Sequence, residues 1–257
     1  MEIRWAAQTD RGRRRSHNED CYAASRALGL FVVADGMGGH AGGEVASELV
    51  VNEIDEVIKA TASLGPQDTW PMPFDRSIGA DGNRLRAGFD GANRRIARHV
   101  ETSETLRGMA TTAVAVLVRD GSAALAHVGD SRAYLCRGGG LSRLTTDHSW
   151  VEEQWRAGML TEVSAREHPW RNIVTRALSG AHDLDVEVTE LELQSGDRLL
   201  LCSDGLSSVL QDSEIGDVVA AATDLQTACD ELVRRTNAAG GPDNVTVVLV
   251  DVLSDAG

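Results

Sequence analysis

The sequence predicts an α+β fold in which layered antiparallel sheets are covered by helices, and three observations lead to it. Short strands of β-branched and aliphatic residues recur along the whole chain, and several are joined by tight links. The helical patterns do not alternate one by one with the strands. They stand apart as one long pair and one further helix. Strands joined by hairpins exclude a doubly wound parallel sheet, whose neighbours need crossovers of a dozen residues or more.

In chain order the strands are expected at Glu2–Gln8, Cys21–Ser25, Leu30–Ala34, Thr111–Arg119, Ala123–Val128, Ala133–Arg137, Asp185–Leu193, Arg198–Cys202 and Val245–Val252. Arg119-Asp120-Gly121-Ser122 reads as a hairpin turn because Asp-Gly accepts the left-handed backbone of a two-residue loop. A helix over about Gly43–Ser63 places Ala46, Val50, Ile54, Val57 and Ile58 on one face. A second over about Asn83–Val100 does the same with Leu85, Phe89, Ala92, Ile96 and Val100. Between them Gly65–Gly82 holds Pro66, Pro71 and Pro73 and reads as an ordered surface loop. A third helix over Asp224–Ala238 turns Leu225, Ala228, Leu232 and Val233 inward. With 257 residues and no repeat, the chain reads as one domain spanning 1–257.

Composition removes several functions. Twenty-five Lys and Arg against 39 Asp and Glu leave a formal charge of −14, which argues against nucleic acid as a partner. No apolar run approaches the roughly 18 residues of a membrane span, and the N-terminus lacks a signal-peptide core, so a cytoplasmic setting is expected. Cys21, Cys136, Cys202 and Cys229 have no paired spacing and read as buried apolar thiols.

Apolar strands repeatedly run into an aspartate flanked by glycine: Asp35-Gly36, Gly129-Asp130 and Asp204-Gly205, with Gly240-Gly241-Pro242-Asp243 in reverse order. A single Asp-Gly needs no more than turn preference. Four of them at strand ends can share one rim of a sandwich, where their mutual repulsion favours a bound cation. Carboxylates without a Cys/His cluster suit Mg²⁺ or Mn²⁺ and not zinc. Upstream, Arg15 precedes Asn18-Glu19-Asp20. Its surroundings are a solvated basic loop in the plain reading; in the sharper one, an arginine beside a carboxylate metal centre is a fork for phosphate oxygens. No GxSxG or other nucleophile motif points to covalent catalysis.

These residues, taken in order, resemble the bacterial branch of the metal-dependent Ser/Thr protein phosphatases of type 2C. The match runs from Thr9-Asp10, Gly12, Arg15 and Asn18-Glu19-Asp20 through Val33-Ala34-Asp35-Gly36-Met37-Gly38-Gly39-His40 and Gly108-Met109-Ala110-Thr111-Thr112. It continues through Val128-Gly129-Asp130-Ser131-Arg132 and Asp147-His148-Ser149 to Ser203-Asp204-Gly205 and Pro242-Asp243-Asn244. The resemblance implies a four-layer αββα sandwich of two antiparallel sheets flanked by helix pairs, with a small flap subdomain over about 147–180.

It also implies two Mn²⁺ or Mg²⁺ ions bridged by Asp35, with the Gly36 carbonyl, Asp20, Asp204 and Asp243 completing their ligands. Asp130 matches the position that takes a third, weaker ion; Ser208 and Glu167 are candidates for its other ligand. Arg15 would hold the substrate phosphate while metal-activated water attacks phosphorus. Many eukaryotic members carry His directly after Asp-Gly as general acid. Here that position is Met37, and nearby His40 is the candidate. Trp150, Trp155 and Trp170 in the flap fit either local packing or contact with substrate. The implied partners are phosphorylated Ser/Thr proteins and the kinase that makes them, with the chain acting as a monomer. The alternative is a catalytically inactive phosphoprotein-binding module of the same fold.

Overall fold

The computed structural model describes residues 1–38 and 42–254. Two five-stranded antiparallel sheets face each other. The first contains β1 (Glu2–Asp10), β10 (Val245–Leu253), β9 (Arg198–Cys202), β6 (Arg132–Arg137) and β7 (Gly140–Arg143), in that order across the sheet. The second contains β2 (Asp20–Ser25), β3 (Leu30–Met37), β4 (Ala110–Arg119), β5 (Ser122–Val128) and β8 (Glu187–Glu192). Helices α1 (Gly42–Thr61) and α2 (Ala80–Thr102) cover the second sheet, and α6 (Asp212–Ala221) and α7 (Leu225–Ala238) cover the first. This is the expected αββα order of layers.

Burial explains the apolar runs. In β3, Phe31 and Val33 point into the core between the sheets, while Leu30, Val32 and Ala34 pack under α1 and α2. In β10, Val248, Val250 and Val252 face the other sheet, and Val245, Val247 and Leu249 face α6 and α7. A strand covered on both faces has no polar side to show, so its sequence is continuous and not alternating. The expected helix faces hold: Ala46, Val50, Ile54 and Ile58 are buried with Leu85, Phe89, Ala92 and Ile96, while Val57 and Val100 lie at the margin. The hairpin is also as expected, with Arg119 opposite Ser122 and both Asp120 and Gly121 at positive φ.

The differences are local. Strand β3 continues through Asp35 and Gly36 to Met37, because it stays paired with β4 from Leu30 to Met37. Asp35 is therefore inside a strand. Asp204 opens a short helix, α5 (Asp204–Ser207), and does not end a strand. Helix α6 has no counterpart in the sequence pattern; Gly216 and four polar residues dilute its periodicity, but a reciprocal capping box between Gln211 and Glu214 starts it. Strand β7, four residues long, is an edge strand that among the described residues pairs with β6 alone. In the segment expected as a flap, α3 (Trp150–Arg156) and α4 (Glu162–Glu167) stand on a base closed by the Ser149–Val174 bridge. All four cysteines are free thiols, three of them buried. Among the described residues, no helix is long and apolar enough to cross a membrane.

Candidate metal centre

Five aspartates meet at one end of the sandwich because both sheets deliver them there. Asp20 and Asp35 sit opposite each other on β2 and β3 of the second sheet. Asp204 follows β9 and Asp243 precedes β10, adjacent strands of the first. Asp130 lies in the crossing from β5 to β6. The sheets are stitched together at this rim: Ser203 Oγ and Thr246 Oγ1, from the first sheet, each donate to Asp20 Oδ2 at 2.7 Å. Asn18 Nδ2 donates to Thr9 Oγ1, which contacts Thr246 Oγ1 at 2.7 Å.

Gly36 is required by close approach. A Cβ there would lie 2.0 Å from the Gly43 carbonyl oxygen at the start of α1 and 2.7 Å from that of Glu19. Its N–H donates to Glu19 O at 3.1 Å, which fixes β3 against the turn that carries Asp20. Thr111 Oγ1 donates to the Asp35 carbonyl at 2.8 Å.

The electrostatics are those of an anionic pocket. Burial pushes the Asp20 carboxyl up to about 7, with Asp204 and Asp243 adding repulsion. Burial, then Asp243, pushes Asp204 up to about 6. Asp35 is held well above the usual carboxylate range by burial and then by Asp20, Asp204, Asp130 and Asp243. Asp130 is raised likewise, by burial and then by Asp204 and Asp147. Asp20 Oδ1 is buried without any hydrogen-bond partner among the described residues. An unpartnered carboxylate oxygen among four further carboxylates is a donor set that a hard divalent cation satisfies, so these residues fit the ions the resemblance implies.

Asp243 Oδ2 accepts from Arg15 Nη2 at 2.8 Å, and Oδ1 accepts from Asn244 N at 2.8 Å. Arg15 is exposed and spends one donor on Asp243, which leaves the rest of its guanidinium fork turned outward. The expected site residues Arg15, Asp20, Asp35, Gly36, Asp130, Asp204 and Asp243 thus gather at one rim. His40 lies outside the described residues. Ser208 lines an open cavity of about 190 Å³ that Asp130 and Asp204 share with the flap residues Trp155, Arg166 and Asn172; Glu167 is not in its lining. Trp150 packs against His168 and Trp170, with ring centroids 4.9 Å away in each case, as local packing predicts, whereas Trp155 and Trp170 keep exposed surface.

The main residue without an assigned role in the sequence reading is Asn244. It is 3 % exposed, accepts from Glu19 N at 2.8 Å and donates to Arg11 O and His17 O at 3.0 and 2.9 Å. One side chain thereby holds the whole Arg11–Glu19 loop against Asp243. Its place beside Asp243 in the motif was the available signal. Asn244→Ala should cost about 2–4 kcal/mol, since it strands buried backbone groups as well as removing three bonds. Urea unfolding at fixed metal concentration measures this, and a loss below about 1 kcal/mol would show that the loop is held elsewhere.

His127, His148 and Glu187 also gather, but not as ligands. His127 Nε2 faces the Thr146 carbonyl at 2.9 Å and so carries its proton. His148 Nδ1 accepts from Gly129 N at 3.1 Å, which places its proton on Nε2, 3.1 Å from Glu187 Oε1. His148 Nε2 forms no hydrogen bond among the described residues despite that proximity, and what holds the two histidines together before Asp130 is the stacking of their rings, with centroids 4.7 Å apart.

Comparison with known proteins agrees with this geometry. A family model described as protein phosphatase 2C matches residues 7–254. The chain belongs to the protein phosphatase 2C family. It is 36 % identical to the serine/threonine phosphatase stp of Listeria welshimeri over 95 % of this chain and 94 % of that protein. It is 41 % identical to the serine/threonine protein phosphatase PstP of Mycobacterium tuberculosis over 98 % of this chain, which spans only 46 % of PstP. The M. tuberculosis PstP crystal structure superposes with a TM-score of 0.87 at 37 % identity, covering 98 % of this chain and 99 % of that one. The PstP catalytic domain in complex with two manganese ions gives 0.85 at 36 % identity, with the same coverage.

Proposed function

We propose that this member of the family hydrolyses phosphoserine and phosphothreonine in proteins with the help of two Mn²⁺ or Mg²⁺ ions, and that a third ion binds more weakly at Asp130. The observation that carries the reading is the convergence of five carboxylates from two sheets on a rim where Asp20 Oδ1 has no hydrogen-bond partner among the described residues, with Arg15 beside it. Asp20, Asp35, Asp204, Asp243 and the Gly36 carbonyl would hold the ions. When bound, such ions neutralise phosphate charge and make water nucleophilic at neutral pH. The relatives named as Ser/Thr phosphatases and the manganese-bound neighbour support this reading.

The chain's own contribution is positional. Asp243 and the loop pinned by Asn244 aim Arg15, whose fork takes two phosphate oxygens. Phosphoproteins from a Ser/Thr kinase of the same cell, a monomeric cytoplasmic chain, and residues 147–180 acting as a flap on a single domain belong to the same proposal. With all five carboxylates in place, no observation favours the binding-only module.

The test is Mn²⁺-dependent turnover of p-nitrophenyl phosphate and of a phosphothreonine peptide, with Asp243→Ala as control. A parent protein without metal-dependent turnover, yet retaining phosphopeptide binding, would replace the enzyme with the module. Arg15→Ala should lower kcat/KM for both substrates by about a hundredfold, and Arg15→Lys should restore only part of it because an ammonium cannot bind two oxygens in one plane. Steady-state kinetics on the two variants decide this; unchanged kcat/KM would remove Arg15 from phosphate binding.

A further inference from the structure

Most arginines of this acidic chain, 17 of 24, are paired with a carboxylate among the described residues. The cations that are not are unevenly placed. Among the described residues, those with no carboxylate oxygen within 4.0 Å are Arg76 and Arg98, on the α2 side, and Arg11, Arg13, Arg14, Arg166 and Arg171. Arg166 and Arg171 line the cavity that contains Asp130 and Asp204. Arg11, Arg13 and Arg14 share the β1–β2 loop with Arg15, and all four are exposed. A chain of net charge −14 could pair these groups readily, and around its phosphate-binding arginine it does not.

The loop that presents them is rigid. Gly12 has φ +76°, and a Cβ there would fall 2.1 Å from the Asp243 carbonyl oxygen. Gly12 N donates to Asp10 Oδ1 at 2.8 Å, and Asn237 Nδ2 donates to the same oxygen at 3.1 Å. Arg13 N donates to Gly241 O at 2.7 Å, and Asn244 takes the carbonyls of Arg11 and His17. The backbone is thus held at Arg11, Gly12, Arg13 and His17. Among the described residues, the side chain of Arg11 reaches only the Ser16 carbonyl at 3.5 Å, and those of Arg13 and Arg14 have no hydrogen-bond partner. Fixed backbone with unengaged guanidinium heads is the arrangement of a binding edge, since the ordering cost of the loop is met before a ligand arrives.

We propose that Arg13 and Arg14, assisted by Arg11, form a subsite for anionic side chains that flank the phosphorylated residue, so that the protein prefers acidic or multiply phosphorylated substrate segments. This rests on Arg15 receiving the target phosphate. Consecutive residues advance at most about 3.6 Å, so arginines one and two positions before Arg15 address side chains about one to three residues from the phosphoresidue. The occupant is anionic because planar, unpaired guanidinium groups select carboxylate and phosphate. The local surplus of positive charge also draws such a segment in against the overall sign of the molecule.

The experiment compares two phosphothreonine peptides that differ only in Glu or Gln at the flanking positions, with p-nitrophenyl phosphate as a flank-free substrate, at low and high NaCl. The parent should prefer the Glu peptide by about three- to tenfold in kcat/KM, chiefly through KM, which is the worth of two or three solvent-screened charge pairs. High salt should erase the preference. In Arg13→Gln/Arg14→Gln the preference should vanish while p-nitrophenyl phosphate turnover stays at the parent level, and Arg13→Lys/Arg14→Lys should retain most of it. Equal kcat/KM for the two peptides in the parent overturns the proposal. So does a preference that persists in Arg13→Gln/Arg14→Gln and is lost only in Arg166→Gln/Arg171→Gln. Failure of the phosphatase reading itself is separate, because it would appear as absent p-nitrophenyl phosphate turnover in the parent.

Discussion

Asp35→Asn is expected to lower metal-dependent hydrolysis of p-nitrophenyl phosphate and of phosphopeptide alike by about a thousandfold or more, while making the metal-free protein more stable than the parent. The activity loss follows from the position of Asp35, which sits directly opposite Asp20 and close enough to Asp204, Asp130 and Asp243 for their charges to act on it. Removing a group that organises the charge of an active site has effects of this order. The gain in stability follows from the same geometry. Without a cation, Asp35 is a carboxylate that burial and four neighbouring aspartates disfavour, and a neutral amide of the same shape removes that cost. Functional groups that destabilise the resting fold are a general origin of trade-offs between stability and activity. The check is a pair of melting curves in EDTA together with initial rates in Mn²⁺. If the metal-free Asp35→Asn protein melts below the parent, Asp35 is a structural hydrogen-bonding residue first.

Chelation is expected to lower the melting temperature of the parent at pH 7.5 by about 5–10 °C, with a smaller effect at pH 5.5. Occupancy at a hundred times Kd contributes about 2.7 kcal/mol, and a domain of this size shifts by roughly 2–4 °C for each kcal/mol. The pH dependence follows from two carboxyls. Folding moves Asp20 from 3.8 up to about 7 and Asp204 from 3.8 up to about 6, in both cases through burial first. Between pH 4 and 7 the metal-free folded state therefore binds more protons than the unfolded chain, and its stability falls as pH rises through that window. Ions compete with those protons, so the stabilisation they add grows with pH in the same range. Calorimetry with and without EDTA between pH 5.5 and 8 tests both signs. Metal-free stability that climbs steadily with pH would mean that these carboxyls titrate normally and that the rim is open to water.

Much of the fold and the centre of the site could be read before any coordinates. The unbroken apolar runs Leu30–Ala34 and Val247–Val250 demanded cover on both faces, and the helix pair with its matched faces supplied cover for one sheet. Asp35, Asp130 and Asp204 were visible because each stands beside glycine at the end of an apolar run, and Asp243 because it follows Gly240-Gly241-Pro242 just before one, whereas Asp20 was visible only through its motif. Helix α6 and strand β7 were not visible, because Gly216 and the polar residues around them carry almost no periodic signal and both depend on a capping box or a partner strand. Asn244 was visible only as a motif letter. Its partners Glu19, Arg11 and His17 are more than 220 residues away in sequence.

What the sequence by itself determined was therefore local and additive: which segments are strands or amphipathic helices, that two sheets must be layered under helices, and which acidic residues stand at turns. Only the tertiary structure decided that β1 pairs with β10, that Ser203 and Thr246 satisfy one oxygen of Asp20 and leave the other bare, and that Arg15 rests on Asp243 while its neighbours go unpaired. The physical reason is that periodicity and turn preference act over a few residues, whereas strand order and the partner of a buried polar atom are settled by burial and hydrogen bonding summed over the whole chain.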